Sequence, residues 1–190
     1  MLQHAFKEWA VICRALAEGR QALILRKGGI AERDGGFELE HTRFWLFPTY
    51  THQQHGGIKA EALPLLEQVE ADRPPAGTVR LSHFAELSGV YHVHDLAAAL
   101  MLPSLHLWSE DTVAARFRYR APGLYVMPVR VYRAAGVHEI ADLTEYAGCR
   151  SWVELRQPLP TGGATPVLDD AAFRDLLRTL DRVLNPTAFA

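Results

Sequence analysis

Cysteine is almost missing from these 190 residues: only Cys13 and Cys149 occur. Two thiols build neither a disulfide framework nor a four-cysteine zinc site. Lysine is scarce as well, with Lys7, Lys27 and Lys59 beside 17 arginines, a skew that fits a GC-rich genome. No excess of one charge exists: 20 basic residues face 22 acidic ones, a net of −2. The chain as a whole therefore does not attract polyanions, and any nucleic-acid binding must use a local patch. No apolar run approaches the roughly 18 residues of a membrane span. The first nine residues lack the charged-then-apolar order of a signal peptide, so a cytoplasmic location is expected. What is present, 48% hydrophobic and 22% charged residues, is ordinary for a folded chain. Fibrous, collagen-like and disordered classes drop out, and a single domain over 1–190 is expected.

Periodicity supplies the elements. Leu2, Phe6, Trp9, Cys13 and Leu16 recur at steps of four and three, predicting a core-facing helix ended by Gly19. Ala22–Leu25 reads as a short buried strand closed by Arg26-Lys27-Gly28-Gly29. Asp34-Gly35-Gly36 is a turn signal, followed by one or two aromatic-rich strands between Phe37 and Phe47, stopped by Pro48. Residues 49–57 read as a polar loop, 61–71 as a short helix and 72–77 as a surface crossing. Strands are expected over 78–84, 89–94, 124–133 and 151–155, with Pro128 marking an edge or bulge. Asp95 and Ser109 suit the N-caps of helices over 96–102 and 110–118, and a last helix covers 169–184. Strand–helix alternation is irregular and no Gly-x-Gly-x-x-Gly follows a strand, which excludes a doubly wound nucleotide fold. The expected class is α+β, a compact mixed or antiparallel sheet or a small β-barrel with flanking helices.

Three groupings could carry chemistry. Residues 116–133 hold five arginines (116, 118, 120, 130, 133) and three tyrosines (119, 125, 132), with no acid between Asp111 and Glu139. Guanidinium forks grip phosphate and tyrosine rings stack on unpaired bases, although a half-buried strand with ion pairs shows the same alternation. Arg26-Lys27-Gly28-Gly29 could expose backbone N–H groups beside two cations as an anion nest, or be a plain turn. Nine histidines include His41, His52, His55 and the pair His92-x-His94, but no helical H-E-x-x-H motif is present, so no resident metal and no cofactor are expected. Glu8, Glu38 and Glu40 faintly follow the carboxylate order of magnesium nucleases, without the lysine such a site needs. Cys13 reads as core and Cys149 as a small strand-start residue.

Several blocks are similar to the bacterial family named domain of unknown function 1802: Lys7-Glu8-Trp9-Ala10, Leu25-Arg26-Lys27-Gly28-Gly29-Ile30, Phe47-Pro48-Thr49-Tyr50-x-His52-Gln53, Leu107-Trp108, Arg116-Phe117-x-Tyr119-Arg120-x-Pro122-Gly123-Leu124-Tyr125, and Gly148-Cys149-x-Ser151-Trp152. That resemblance implies no reaction but adds weight to the polar blocks. The segment from Ala17 to Arg26 also resembles the start of PUA-like barrels, including their ASCH branch, whose members bind RNA or modified bases. The expected site is one cleft gathering Arg26, Lys27, Gly28, Gly29, Thr49, Tyr50, His52, Gln53, Arg118 and Arg120, for RNA, single-stranded DNA or a nucleotide. Phosphate would lie on Arg26, Lys27 and Arg120, and a base on Tyr50. A metal-assisted phosphoester hydrolase using Glu38, Glu40, His41 and His52, and a protein-interaction edge, are the competing expectations.

Overall fold

The computed structural model describes residues 1–27, 41–148 and 150–184. Strand β1 (Leu2–Trp9) runs directly into helix α1 (Ala10–Ala17). The helical stripe expected from Leu2 onward therefore begins only at Ala10. Long-range pairing decides this: Ala5–Trp9 pair in parallel with Trp45–Thr49, and Leu2–Phe6 pair antiparallel with residues 152–159. A strand covered on both flanks and both faces carries no alternation, so its apolar positions matched a helical period by coincidence. Gly19 follows α1 at φ +70°, where a Cβ would also stand 2.8 Å from Leu168 Cδ2. Position 19 thus needs glycine on two counts.

Strand β2 (Leu23–Arg26) follows, then β3 (Arg43–Thr49), helix α2 (Leu63–Ala71), β4 (Thr78–Leu87) and β5 (Tyr91–Val93). Helices α3 (Leu96–Leu100) and α4 (Glu110–Arg118) lead into β6 (Leu124–Ala141), β7 (Trp152–Leu159), β8 (Thr165–Pro166) and helix α5 (Asp170–Leu184). Asp95 caps α3 by accepting from the N–H groups of Ala97 and Ala98, and Ser109 caps α4 through Thr112. The class is α+β with one mixed, open sheet ordered β2-β6-β4-β3-β1-β7, in which β1–β3 is the parallel pair; β5 and β8 attach to β6.

Strand β6 is central, whereas Pro128 argued for an edge or bulge. The proline is tolerated because β4 pairs β6 from Val129 onward and β5 pairs it up to Val126. The missing N–H therefore falls at the seam between two partners, where the Pro128 carbonyl still accepts from Ser88 at 2.9 Å. In β3, Phe44 and Leu46 enter the larger core under the helices, while Trp45 and Phe47 enter a second cluster with Val79, Leu81 and Phe84. Pro48 continues this strand, opposite Glu8, where a stop was expected. No helix among the described residues is long and apolar enough to cross a membrane.

Candidate functional site

Strands β1 and β3 run parallel, so their C-terminal ends lie together and deliver Lys7, Glu8, Trp9 and Thr49 to one rim. Beside that rim lies a cleft of about 530 Å³, walled by Thr49–His52, Arg73–Val79, residues 142 and 146–148, and Arg150–Ser151. Arg26 from the end of β2 and Arg116 from α4 complete it. The volume suits a ligand of about one nucleotide, within the roughly 300–1,000 Å³ of small-molecule sites. Five cationic side chains (Lys7, Arg26, Arg73, Arg116, Arg150) face two carboxylates (Glu8, Asp142), a local excess of three positive charges in a chain whose net charge is negative.

The floor is a buried ionic cluster. The Glu8 side chain is 1% exposed; its Oε1 accepts from the Trp9 N–H at 2.9 Å and its Oε2 lies 3.8 Å from the Arg26 guanidinium. Arg26 donates to the Lys7 carbonyl and covers the Phe6 ring at 4.5 Å. Arg116 donates to the Leu25 carbonyl at 3.1 Å and lies 3.6 Å above Trp108. Burial lowers the Arg116 pKa to about 10, aided by Arg26 and opposed by Glu8, so it stays charged at neutral pH. Two buried polar atoms here, Glu8 Oε2 and Arg26 Nε, have no hydrogen-bond partner among the described residues.

The walls are different. Thr49 Oγ1 donates to the Glu8 carbonyl at 3.0 Å, fixing the rim. Tyr50 is half-buried beneath the Arg73 guanidinium, 4.6 Å from its ring, and burial raises its pKa, which keeps the hydroxyl protonated. His52 is exposed and sits at φ +69°, a left-handed conformation that a side chain disfavours. Arg73 and Arg150 are exposed, and Lys7 Nζ donates to the Tyr146 and Gly148 carbonyls, tying the 146–148 wall to β1.

Of the residues singled out by sequence, Arg26, Thr49, Tyr50 and His52 line this one cleft. Lys27 points elsewhere: its ammonium donates to the carbonyls of Phe117, Ala121 and Gly123, filling all three N–H positions with the backbone that follows α4. Gln53 lies outside the lining and serves the fold, accepting from Val11 N–H at 3.3 Å as the missing cap of α1 and donating to Glu70. Arg118 and Arg120 are exposed at the end of α4 and do not line the cleft; Arg120 lies over Tyr119. Gly28, Gly29, Glu38, Glu40 and Cys149 lie outside the described residues.

His41 stacks on His4, 3.5 Å between centroids, before β3, whereas His52 follows β3. The seven-residue strand between them spans about 20 Å, so they do not share one reacting centre. No group of three metal-ligating side chains occurs among the described residues. Cys13 is buried in α1, and burial, then Glu8, push its thiol pKa well up. Arg130 is held by the Asp169 carbonyl and the Asp170 carboxylate, and Tyr132 by Glu86, so that part of the Arg–Tyr strand is an ion-paired face. Arg73 is legible only as part of a Pro-rich crossing; the two prolines that follow it carry no sign of the ring beneath it.

The chain is similar to the crystal structure of ASCH from Zymomonas mobilis, at 13% identity over 92% of this chain and 93% of that one, with a TM-score of 0.46. It is similar also to a tyrosine-to-phenylalanine mutant of the Zymomonas mobilis protein, at 12% identity over 94% and 98% of the two chains, with a TM-score of 0.47. No curated protein matches the sequence. The family described as Domain of unknown function (DUF1802) matches residues 5–179, nearly the whole length, and the chain belongs to it.

Proposed function

We propose that this cytoplasmic protein binds a phosphate-bearing ligand, a single-stranded nucleic acid or a nucleotide, in the cleft between the ends of β1 and β3 and the wall at Arg73. One observation carries the reading: five cationic side chains and the Tyr50–Arg73 stack surround a hollow of about 530 Å³ in a chain of net charge −2. Arg73 and Arg150, exposed at the mouth, take phosphate. The guanidinium of Arg73, 4.6 Å from the Tyr50 ring, offers a face for a base. Arg26 and Arg116, each donating to a backbone carbonyl, supply positive potential from below. His52 contributes a polar edge at the rim.

Binding of a single-stranded RNA and a single-stranded DNA, measured at two salt concentrations, tests this. Wild type should bind at low salt and lose affinity steeply as salt rises. An Arg73→Ala/Arg150→Ala variant should bind about ten-fold more weakly or worse, with a shallower salt dependence. Equally negligible binding by both proteins at low salt would remove the proposal.

A further inference from the structure

Phosphate alone leaves the floor of the cleft unexplained. An anion site gains nothing from a carboxylate beneath it, yet Glu8 lines the cleft with its side chain 1% exposed. Its Oε2 lacks any hydrogen-bond partner among the described residues, and so does Arg26 Nε beside it. Buried polar atoms are nearly always paired, so two unmatched neighbours at the floor of one cleft ask for a common partner. A carboxylate only accepts and a guanidinium only donates. The partner must therefore present N–H toward Glu8 and an acceptor toward Arg26, side by side.

We propose that an unpaired nucleobase enters edge-on and that Glu8 and Arg26 read its Watson–Crick edge, with guanine preferred. This rests on the nucleotide reading of the cleft given above. Every base offers an N–H next to an acceptor on that edge, which is occupied in a duplex; the ligand is consequently single-stranded or a free nucleotide. Guanine adds a second N–H. Its N1–H and N2–H₂ meet the two Glu8 oxygens, since Oε1 keeps a lone pair beyond the one given to Trp9, while O6 accepts from Arg26. Adenine, cytosine and uracil give Glu8 one N–H group at most. Entry requires the Arg26 guanidinium, 21% exposed, to swing aside and uncover Glu8. Tyr50 and Arg73 then lie on the way in, placed for the base face and the phosphate.

The test titrates the protein with the 5′-monophosphates of guanosine, adenosine, cytidine and uridine, with the N1-methyl derivative of the guanosine nucleotide, and with a mixed-sequence single-stranded RNA. The guanosine nucleotide should bind about ten-fold more tightly than the other three, and N1-methylation should abolish that advantage. Glu8→Gln, checked for folding by its circular dichroism, should bring the four nucleotides within about two-fold of one another. Equal binding of all four and of the methylated form overturns the base-edge inference and leaves the phosphate cleft standing, its floor met by water. Binding of RNA but of no monophosphate overturns it too, as backbone capture alone. Failure of every ligand, RNA included, removes the nucleotide reading itself. The methylated nucleotide keeps the test decisive even if Glu8→Gln does not fold.

Discussion

The guanidinium of Arg26 donates to the main-chain carbonyl of Lys7, joining β2 to β1 although three strands separate them in the sheet. In a flat sheet those strands would stand about 19 Å apart, beyond the reach of any side chain. The sheet must therefore curl until its first and fifth strands face each other, and the cleft is the mouth of that curl. Arg26 is thus a strut first and a ligand contact second. Arg26→Ala should cost about 2–4 kcal/mol in urea unfolding, because it also strips Glu8 of its nearest counter-charge. Arg26→Gln combined with Glu8→Gln should lose less than the two single changes added together; strict additivity would show that the pair is not coupled.

Lys27 should behave oppositely to a phosphate ligand. Its three hydrogen bonds hold the turn after α4, so Lys27→Met should lower stability by about 1–2 kcal/mol while leaving nucleotide affinity within two-fold. A loss of affinity without a loss of stability would return Lys27 to the site.

His52 separates binding from folding in the other direction. Its φ of +69° suits glycine, so His52→Gly should leave stability unchanged or raise it by up to about 1 kcal/mol, relief of strain being offset by a freer unfolded chain. Affinity for single-stranded RNA should fall several-fold in the same variant. Unaltered affinity would take the imidazole out of the rim.

Acid should weaken the fold through two histidines away from the cleft. Burial, then Arg133 and Arg14, lower the His83 pKa to about 4; burial, then Lys59 and Arg116, do the same for His106. Unfolded, each takes a proton near its ordinary pKa of 6.5, which the folded form refuses until about pH 4. The unfolded state therefore binds more protons across that window, and stability drops as pH falls from 6.5 towards 4. His83→Gln should remove one proton's worth of this slope, at most about 1.4 kcal/mol per pH unit, in unfolding measured at a series of pH values.

Sequence signals are legible where the physics is local. Asp95 and Ser109 cap helices by bonds to residues two or three places on, and the final helix shows its own stripe. Residues 2–9 follow a helical period by chance, because β1 is made by partners some 40 and 150 residues away, whose pairing overrides it, whereas Ala10–Ala17 are the helix their stripe predicts. The same limit holds at the cleft. Arg26, Thr49, Tyr50 and His52 were visible as polar residues at strand ends, but Arg73 on the Tyr50 ring, Arg116 against Leu25 and the unmatched Glu8 oxygen are relations across the chain. Lys27 and Arg26, adjacent in sequence, part company because successive side chains at a strand end point to opposite sides.

One consequence follows from β1 lying between β3 and β7. During synthesis its second flank stays bare until residues 152–159 emerge from the ribosome, and the walls of the cleft are gathered from segments as far apart as residues 7 and 151. Such topology folds slowly, and a nascent or truncated chain ending before Trp152 would offer β1 as a sticky edge to its neighbours. Competence to hold a ligand would then arrive together with β7, and nascent chains would need shielding until that moment.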